Sequence, residues 1–152
     1  MVATGKVVVG VDGTPGALNA LGWACHYATL AGTGVDVVRV WAPTDHRPPA
    51  DGPAALADLV AGWVREHAVT VEVQVREVDG MVVQALVDES HHAALVVLGS
   101  RGHHHGPVAI MGSVSRAVAE RAACPVVVVH PHDHVPGIAH PDAAAAPAGD
   151  PA

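Results

Sequence analysis

Residues 99 to 115 read "GSRGHHHGPVAIMGSVS" and place four glycines and three consecutive histidines in one short stretch. Two chemistries compete for it. The imidazoles of His103, His104 and His105 are metal-ligand types. The glycines instead suit a loop that wraps an anion with its backbone N–H groups, since glycine adopts positive φ and lets a ligand approach the main chain. Adjacent side chains of an extended segment point apart, so only His103 and His105 could share one metal. They would need further ligands from His46, His130, His132 or His134. A polar loop that is merely rich in histidine needs nothing else, and a single imidazole could also touch a phosphate, best when protonated below about pH 6.5. The glycine spacing, Gly99-x2-Gly102-x9-Gly112-Ser113, is neither the Walker A pattern nor the dinucleotide fingerprint. Set between a buried strand and a helix start, it offers N–H groups to a phosphate, with the Ser113 hydroxyl and Arg101 as further partners.

The elements that must hold this loop follow from periodicity. "KVVVGVD" (6–12) and "AALVVLG" (93–99) are continuous β-branched or apolar runs, which fit strands buried on both faces. Further strands are expected over Val35–Trp41, Val69–Glu77 and Pro125–His130. The third of these five in chain order, Val69–Glu77, alternates apolar and polar residues, the mark of a sheet edge with one wet face. Thr14-Pro15 starts a helix that Gly32 and Gly34 stop. Helices are also expected over 54–67, 81–90 and from about Gly112. Residues 42–53 form a proline-rich surface loop. The result is a single α/β domain over residues 1–131, a five-stranded parallel sheet with helices on both faces, followed by an Ala/Pro/His-rich tail over 132–152 expected to be disordered. In such sheets ligands bind beyond the carboxyl ends of the strands, so the loops after Asp12, Trp41 and Gly99 should open onto one edge.

Half of the 152 residues are hydrophobic, mostly Ala and Val, with no Phe and one Tyr, as suits closely layered helices and strands. The net charge of -7, with eight Lys and Arg scattered along the chain, argues against a nucleic-acid partner. No apolar run reaches the roughly 18 to 20 residues of a membrane helix. Cys25 and Cys124 lie in apolar segments and read as reduced thiols, and the chain as cytoplasmic. Asp12 could merely hold the turn before the first helix. A phosphoacceptor role for it would need an acidic cluster and a late lysine, but Lys6 is the only lysine. Trp23, Trp41 and Trp63 are expected in helix packing, although Trp41 could stack on a base. No Ser-His-Asp or Cys-His set can be assembled, so binding rather than catalysis is expected.

The glycine pattern, together with "VVVGVDGTPGALNALGWA" near the start and "GSVSRAVAERAACPVVVV" near the end, resembles the universal stress protein family, specifically its ATP-binding branch. The likeness covers about residues 5 to 131. It implies a Rossmann-like fold of the adenine-nucleotide alpha hydrolase-like kind and ATP, with or without Mg2+, as the ligand. It also implies roles: Gly10, Val11 and Asp12 shape the adenosine slot, and Val40 lines the adenine. Gly99, Ser100, Arg101 and Gly102 wrap ribose and phosphates, with His103 beside them. Gly112, Ser113, Val114 and Ser115 hold the phosphate tail. The resemblance further implies a homodimer through the last strand. Cyclic AMP or another adenine nucleotide is the nearest alternative ligand, and a dimeric interaction module with a His-based zinc site is the alternative of another class.

Overall fold

The computed structural model describes residues 5–12, 14–45, 53–100 and 111–130. Strands and helices alternate: β1 (Val7–Gly10), α1 (Pro15–Ala31), β2 (Val35–Trp41), α2 (Pro53–Glu66), β3 (Val73–Asp79), α3 (Val82–Ser90), β4 (Leu95–Gly99), α4 (Ser113–Arg121) and β5 (Val126–Val129). All strand pairs are parallel, in the order β3-β2-β1-β4-β5. The expected tail over 132–152 lies outside the described residues.

Alternation along the strands divides the core into two layers. Val7, Val9, Val35, Val37, Leu95 and Val97 pack with Leu21 and Ala24 of α1 and Val60 and Trp63 of α2. Val8, Val38, Val96 and Leu98 meet Leu86 of α3 and Val118 of α4 on the other face. Because β1 and β4 are covered on both sides, their positions are apolar or glycine and the runs look continuous rather than alternating.

Local signals set the helix ends. Pro15 occupies the first turn of α1, and Gly32 stops it at φ 67, the left-handed region that glycine enters without strain. Thr14 holds the N-cap position but does not cap with its side chain. Its hydroxyl instead donates to Asp12 Oδ1 at 2.6 Å.

β3 is an edge strand, as its alternation predicts, but it runs over Val73–Asp79 rather than 69–77. The Val69 amide is taken by the Val64 carbonyl at the end of α2, and Ala68 turns the chain at φ 50. Val69 and Val71 still pack onto the core, which explains why they kept the pattern. The far end extends because β2 reaches Trp41, which pairs with Asp79. Both cysteines are free; Cys25 is buried, whereas Cys124 is only half-buried. Burial pushes the Cys25 thiol up to about 11. Among the described residues, no helix is long and apolar enough to cross a membrane.

Candidate site at the carboxyl edge of the sheet

Between β1 and β4 the chain order reverses, and their carboxyl ends lie side by side. Four connections leave that edge, those after β1, β2, β3 and β4. At the end of β1, Val11 donates its amide to Val38 O at 3.0 Å. Asp12 Oδ1 then accepts both the Thr14 amide (3.0 Å) and the Thr14 hydroxyl (2.6 Å). One oxygen of Asp12 thus holds the turn into α1, the bland role its sequence allowed, and Oδ2 lies outside these bonds.

Across the crevice the glycines have identifiable reasons. A Cβ on Gly99 would lie 3.2 Å from the Gly16 backbone carbon and oxygen, so the end of β4 passes close against the first turn of α1. Ser100 then ties the loop at both ends. Its amide donates to Val129 O (2.9 Å), and its carbonyl accepts the Gly112 amide (2.6 Å). A Cβ on Gly112 would lie 3.1 Å from that carbonyl. The loop therefore leaves and returns through one closed neck, directly before α4. Gly112 is the N-cap and brings no side chain, so the first turn of α4 lacks a side-chain cap.

The expected site residues distribute unevenly around this neck. Ser100 is 2 % exposed, and its Oγ is buried without a hydrogen-bond partner among the described residues. Register puts its side chain on the face of Val96 and Leu98, which α3 and α4 cover. Ser113 and Val114 are exposed at the start of α4. Ser115 is buried and donates its hydroxyl to Gly99 O at 2.7 Å, so it braces the neck instead of facing the open edge. Gly10 points into the second core layer: a Cβ there would lie 2.6 Å from Leu98 Cδ2 and 3.3 Å from Leu86 Cδ2. Val11 belongs to the first layer, and Val40 packs against the second. Arg101, Gly102 and His103 lie outside the described residues, as do His46, His104, His105, His132 and His134. Among the described residues, no three His, Cys, Asp or Glu side chains are grouped to hold a metal ion.

One cluster at this edge was missed by sequence reasoning. Trp41 at the end of β2 is 7 % exposed, and its Nε1 donates to Glu77 Oε2 at 3.1 Å. The Arg39 guanidinium lies 4.1 Å from the centre of the Trp41 ring. Glu77 Oε1 is buried and without a hydrogen-bond partner among the described residues. The signal was present in β3: after Val69, Val71, Val73 and Val75, an acid occupies the apolar phase at position 77.

This is the architecture of doubly wound α/β domains that receive a ligand at the switch point of the sheet. The family model described as the universal stress protein family matches residues 4–130, and the chain belongs to that family. A universal stress protein of Mycolicibacterium smegmatis is 34% identical over 134 residues, 82% of this chain and 45% of that protein. Universal stress protein Rv2028c of Mycobacterium tuberculosis is 33% identical over 135 residues, 84% of this chain and 48% of its own length. The chain thus spans about half the length of the curated relatives it matches. Among solved structures, a universal stress protein in complex with cAMP is 27% identical, with a TM-score of 0.64, covering 83% of this chain and 96% of that one. A universal stress protein from Archaeoglobus fulgidus in complex with dAMP shares the fold, with a TM-score of 0.63 at 24% identity, covering 84% of this chain and 98% of that one.

Proposed function

We propose that the chain binds an adenine nucleotide at the carboxyl edge between β1 and β4, with ATP as its ligand, and that occupancy regulates a stress response. The observation that carries this reading is the neck itself. A buried Ser100 hydroxyl without a partner lies beside a helix start without a side-chain cap, in a passage that a Cβ at Gly99 or Gly112 would crowd. Unsatisfied buried polar groups are rare and costly, and helix N-termini favour anions. The complex with cAMP supports the same choice of base. Ser113, Val114 and the α4 amides would meet the phosphates, with Gly99 to His103 wrapping them. Asp12, through its second oxygen, would meet the ribose or a magnesium ion carried by the phosphates.

Binding rather than catalysis is the role we assign. Asp12 Oδ1 is committed to the Thr14 amide and hydroxyl and the Ser115 hydroxyl to Gly99 O, an arrangement that suits holding a ligand. We further propose a homodimer formed through β5, four valines whose outer edge pairs with no strand among the described residues. Two free thiols suit a cytoplasmic setting.

Thermal unfolding with ATP, ADP, AMP or cyclic AMP, each with and without magnesium, tests the reading. A ligand at about a hundred times its dissociation constant adds roughly 2.7 kcal/mol. ATP should give such a rise in the wild type and a clearly smaller one in Ser100→Ala. A larger rise with cyclic AMP than with ATP would transfer the site to that nucleotide. Stabilisation by zinc, with none from any nucleotide, would overturn the reading in favour of the histidines.

A further inference from the structure

Glu77 presents a carboxylate oxygen that nothing in the turn, neck or core explains. Its Oε2 is fixed by Trp41 Nε1, while Oε1 is buried and without a hydrogen-bond partner among the described residues. The nearest cation in register is Arg39, directly across the β2–β3 ladder, but its guanidinium is laid over the Trp41 ring. A buried acceptor left open costs free energy that the fold would avoid by placing a valine here, as it does at Val73 and Val75.

The position of Glu77 along the edge suggests what could use that oxygen. Register places Glu77 level with Arg39 on β2, near the carboxyl ends, and the bond to Trp41 lifts its carboxylate to the last residues of that strand. The neck stands at β4. From β4 to β3 there are three strand intervals, about 14 Å at ordinary strand spacing. That span matches an extended mononucleotide laid along the edge: phosphates at the neck, ribose over β1, base over β2, and the far rim of the base at β3.

We propose that Glu77 reads the base, its Oε1 accepting a hydrogen bond from the exocyclic amine of a purine. This inference rests on the nucleotide reading above and adds a specificity residue to it. Glu77 as a whole is half-buried, and the terminal torsion of a glutamate is soft, so a modest turn of the carboxylate that keeps Oε2 within reach of Trp41 Nε1 would present Oε1 to a ligand at this edge. The fold has already stripped this oxygen of water, so little solvation is lost when the amine arrives. Arg39, held on Trp41, leaves the acceptor open. A base without the amine would leave the oxygen unpaired, and sites built to take a hydrogen bond discriminate strongly against ligands that lack it.

The test compares ATP with purine riboside 5′-triphosphate, which differs only in lacking the 6-amine, by calorimetric titration of the wild type and of Glu77→Gln. Glu77→Gln keeps an acceptor for Trp41 Nε1, and its fold is checked by circular dichroism and by its melting temperature. The wild type should bind ATP at least about tenfold more tightly than the analogue, the scale of one charge-assisted hydrogen bond. In Glu77→Gln the ratio should fall towards one, chiefly through weaker ATP binding. A wild type indifferent to the amine, or a ratio unchanged in Glu77→Gln, overturns the role of Glu77 while leaving the nucleotide site standing. Absence of binding by both triphosphates overturns the nucleotide reading and this inference with it. Should Glu77→Gln fail to fold, Arg39→Gln provides the second variant. Freed of the cation nearby in register, Glu77 should hold the ATP preference, and loss of that preference would assign it to Arg39.

Discussion

At the amino-terminal edge of the sheet, Glu89, Arg76, Asp36, Lys6 and Glu72 form a chain of alternating charge along a cleft of about 640 Å³. Arg76 grips Glu89 with two bonds, of 2.6 and 3.2 Å, and lies 3.6 Å from Asp36. Even Asp36 Oδ1, which lacks hydrogen-bond geometry, has the Lys6 ammonium 3.4 Å away. The carboxyl edge is finished differently. There Ser100 Oγ and Glu77 Oε1 are buried with no hydrogen-bond partner and no ion pair among the described residues, and glycines keep side chains out of the passage. One set of five strands therefore has an end where charge is neutralised within the fold and an end where polar groups are held ready. Stability belongs to the first, and the proposed nucleotide site to the second.

Substitutions at the two ends should separate accordingly. The largest effect is expected from Gly5→Ala at the amino edge, where a Cβ would lie 2.7 Å from both Ala94 N and His92 O. These are backbone atoms and cannot swing aside, so urea unfolding should show a loss of roughly 2–3 kcal/mol with nucleotide affinity retained. A loss below about 0.5 kcal/mol would show that this edge yields more easily than its packing implies.

Ser115→Ala should cost about 1 kcal/mol, since it removes the brace to Gly99 O. Arg76→Ala should cost a similar amount at low salt. Because Arg76 is 39% exposed, about half of that should vanish in 0.5 M NaCl. A salt-independent loss would mean that the side-chain stem, not the charge, carries the effect.

Ser100→Ala should barely move stability, or raise it by a few tenths of a kcal/mol, because it deletes an unpaired buried group. Were it to cost as much as Ser115→Ala, the hydroxyl would have a structural partner and the contrast between the edges would weaken. Between the two edges, Cys25 supplies the smallest effect. Its thiol is raised to about 11, so its contribution is complete below about pH 9 and is lost as pH rises through 11. Cys25→Ala should flatten that alkaline slope, and the native thiol should resist alkylation at pH 8.

Much of the frame was legible in the residues. The valine runs of β1 and β4, Pro15 and Gly32 around α1, and the glycine spacing before α4 are local signals, and local physics settles them. The alternation in β3 even indicated its place at the edge. What the chain order could not reveal was direction. Gly10 is expected to shape a ligand slot, and the place where a side chain would stand is filled by Leu98 and Leu86. Ser115 has the chemistry to touch a phosphate, but helix phase turns it towards Gly99. Asp12 required knowledge of where the Thr14 hydroxyl would go. Each of these depends on which neighbour lies across a crevice, set by contacts tens of residues away. Glu77 was readable, as an acid in an apolar phase, but periodicity alone does not say why a pattern breaks.

The strand order has a consequence for the birth of the molecule. β1 is central, flanked by β2 and β4. It is made before the other strands of its sheet and gains one neighbour early, when Val35–Trp41 appears. The other side of its ladder, Val7 to Val9, stays open until Leu95 to Val97 are synthesised and can pair with it. Until then the nascent domain carries an unpaired, apolar strand edge of the kind that chaperones hold and neighbouring chains capture. The strand that ends up most protected is the one that waits longest for protection, and rapid passage of the ribosome through β4 should favour soluble yield.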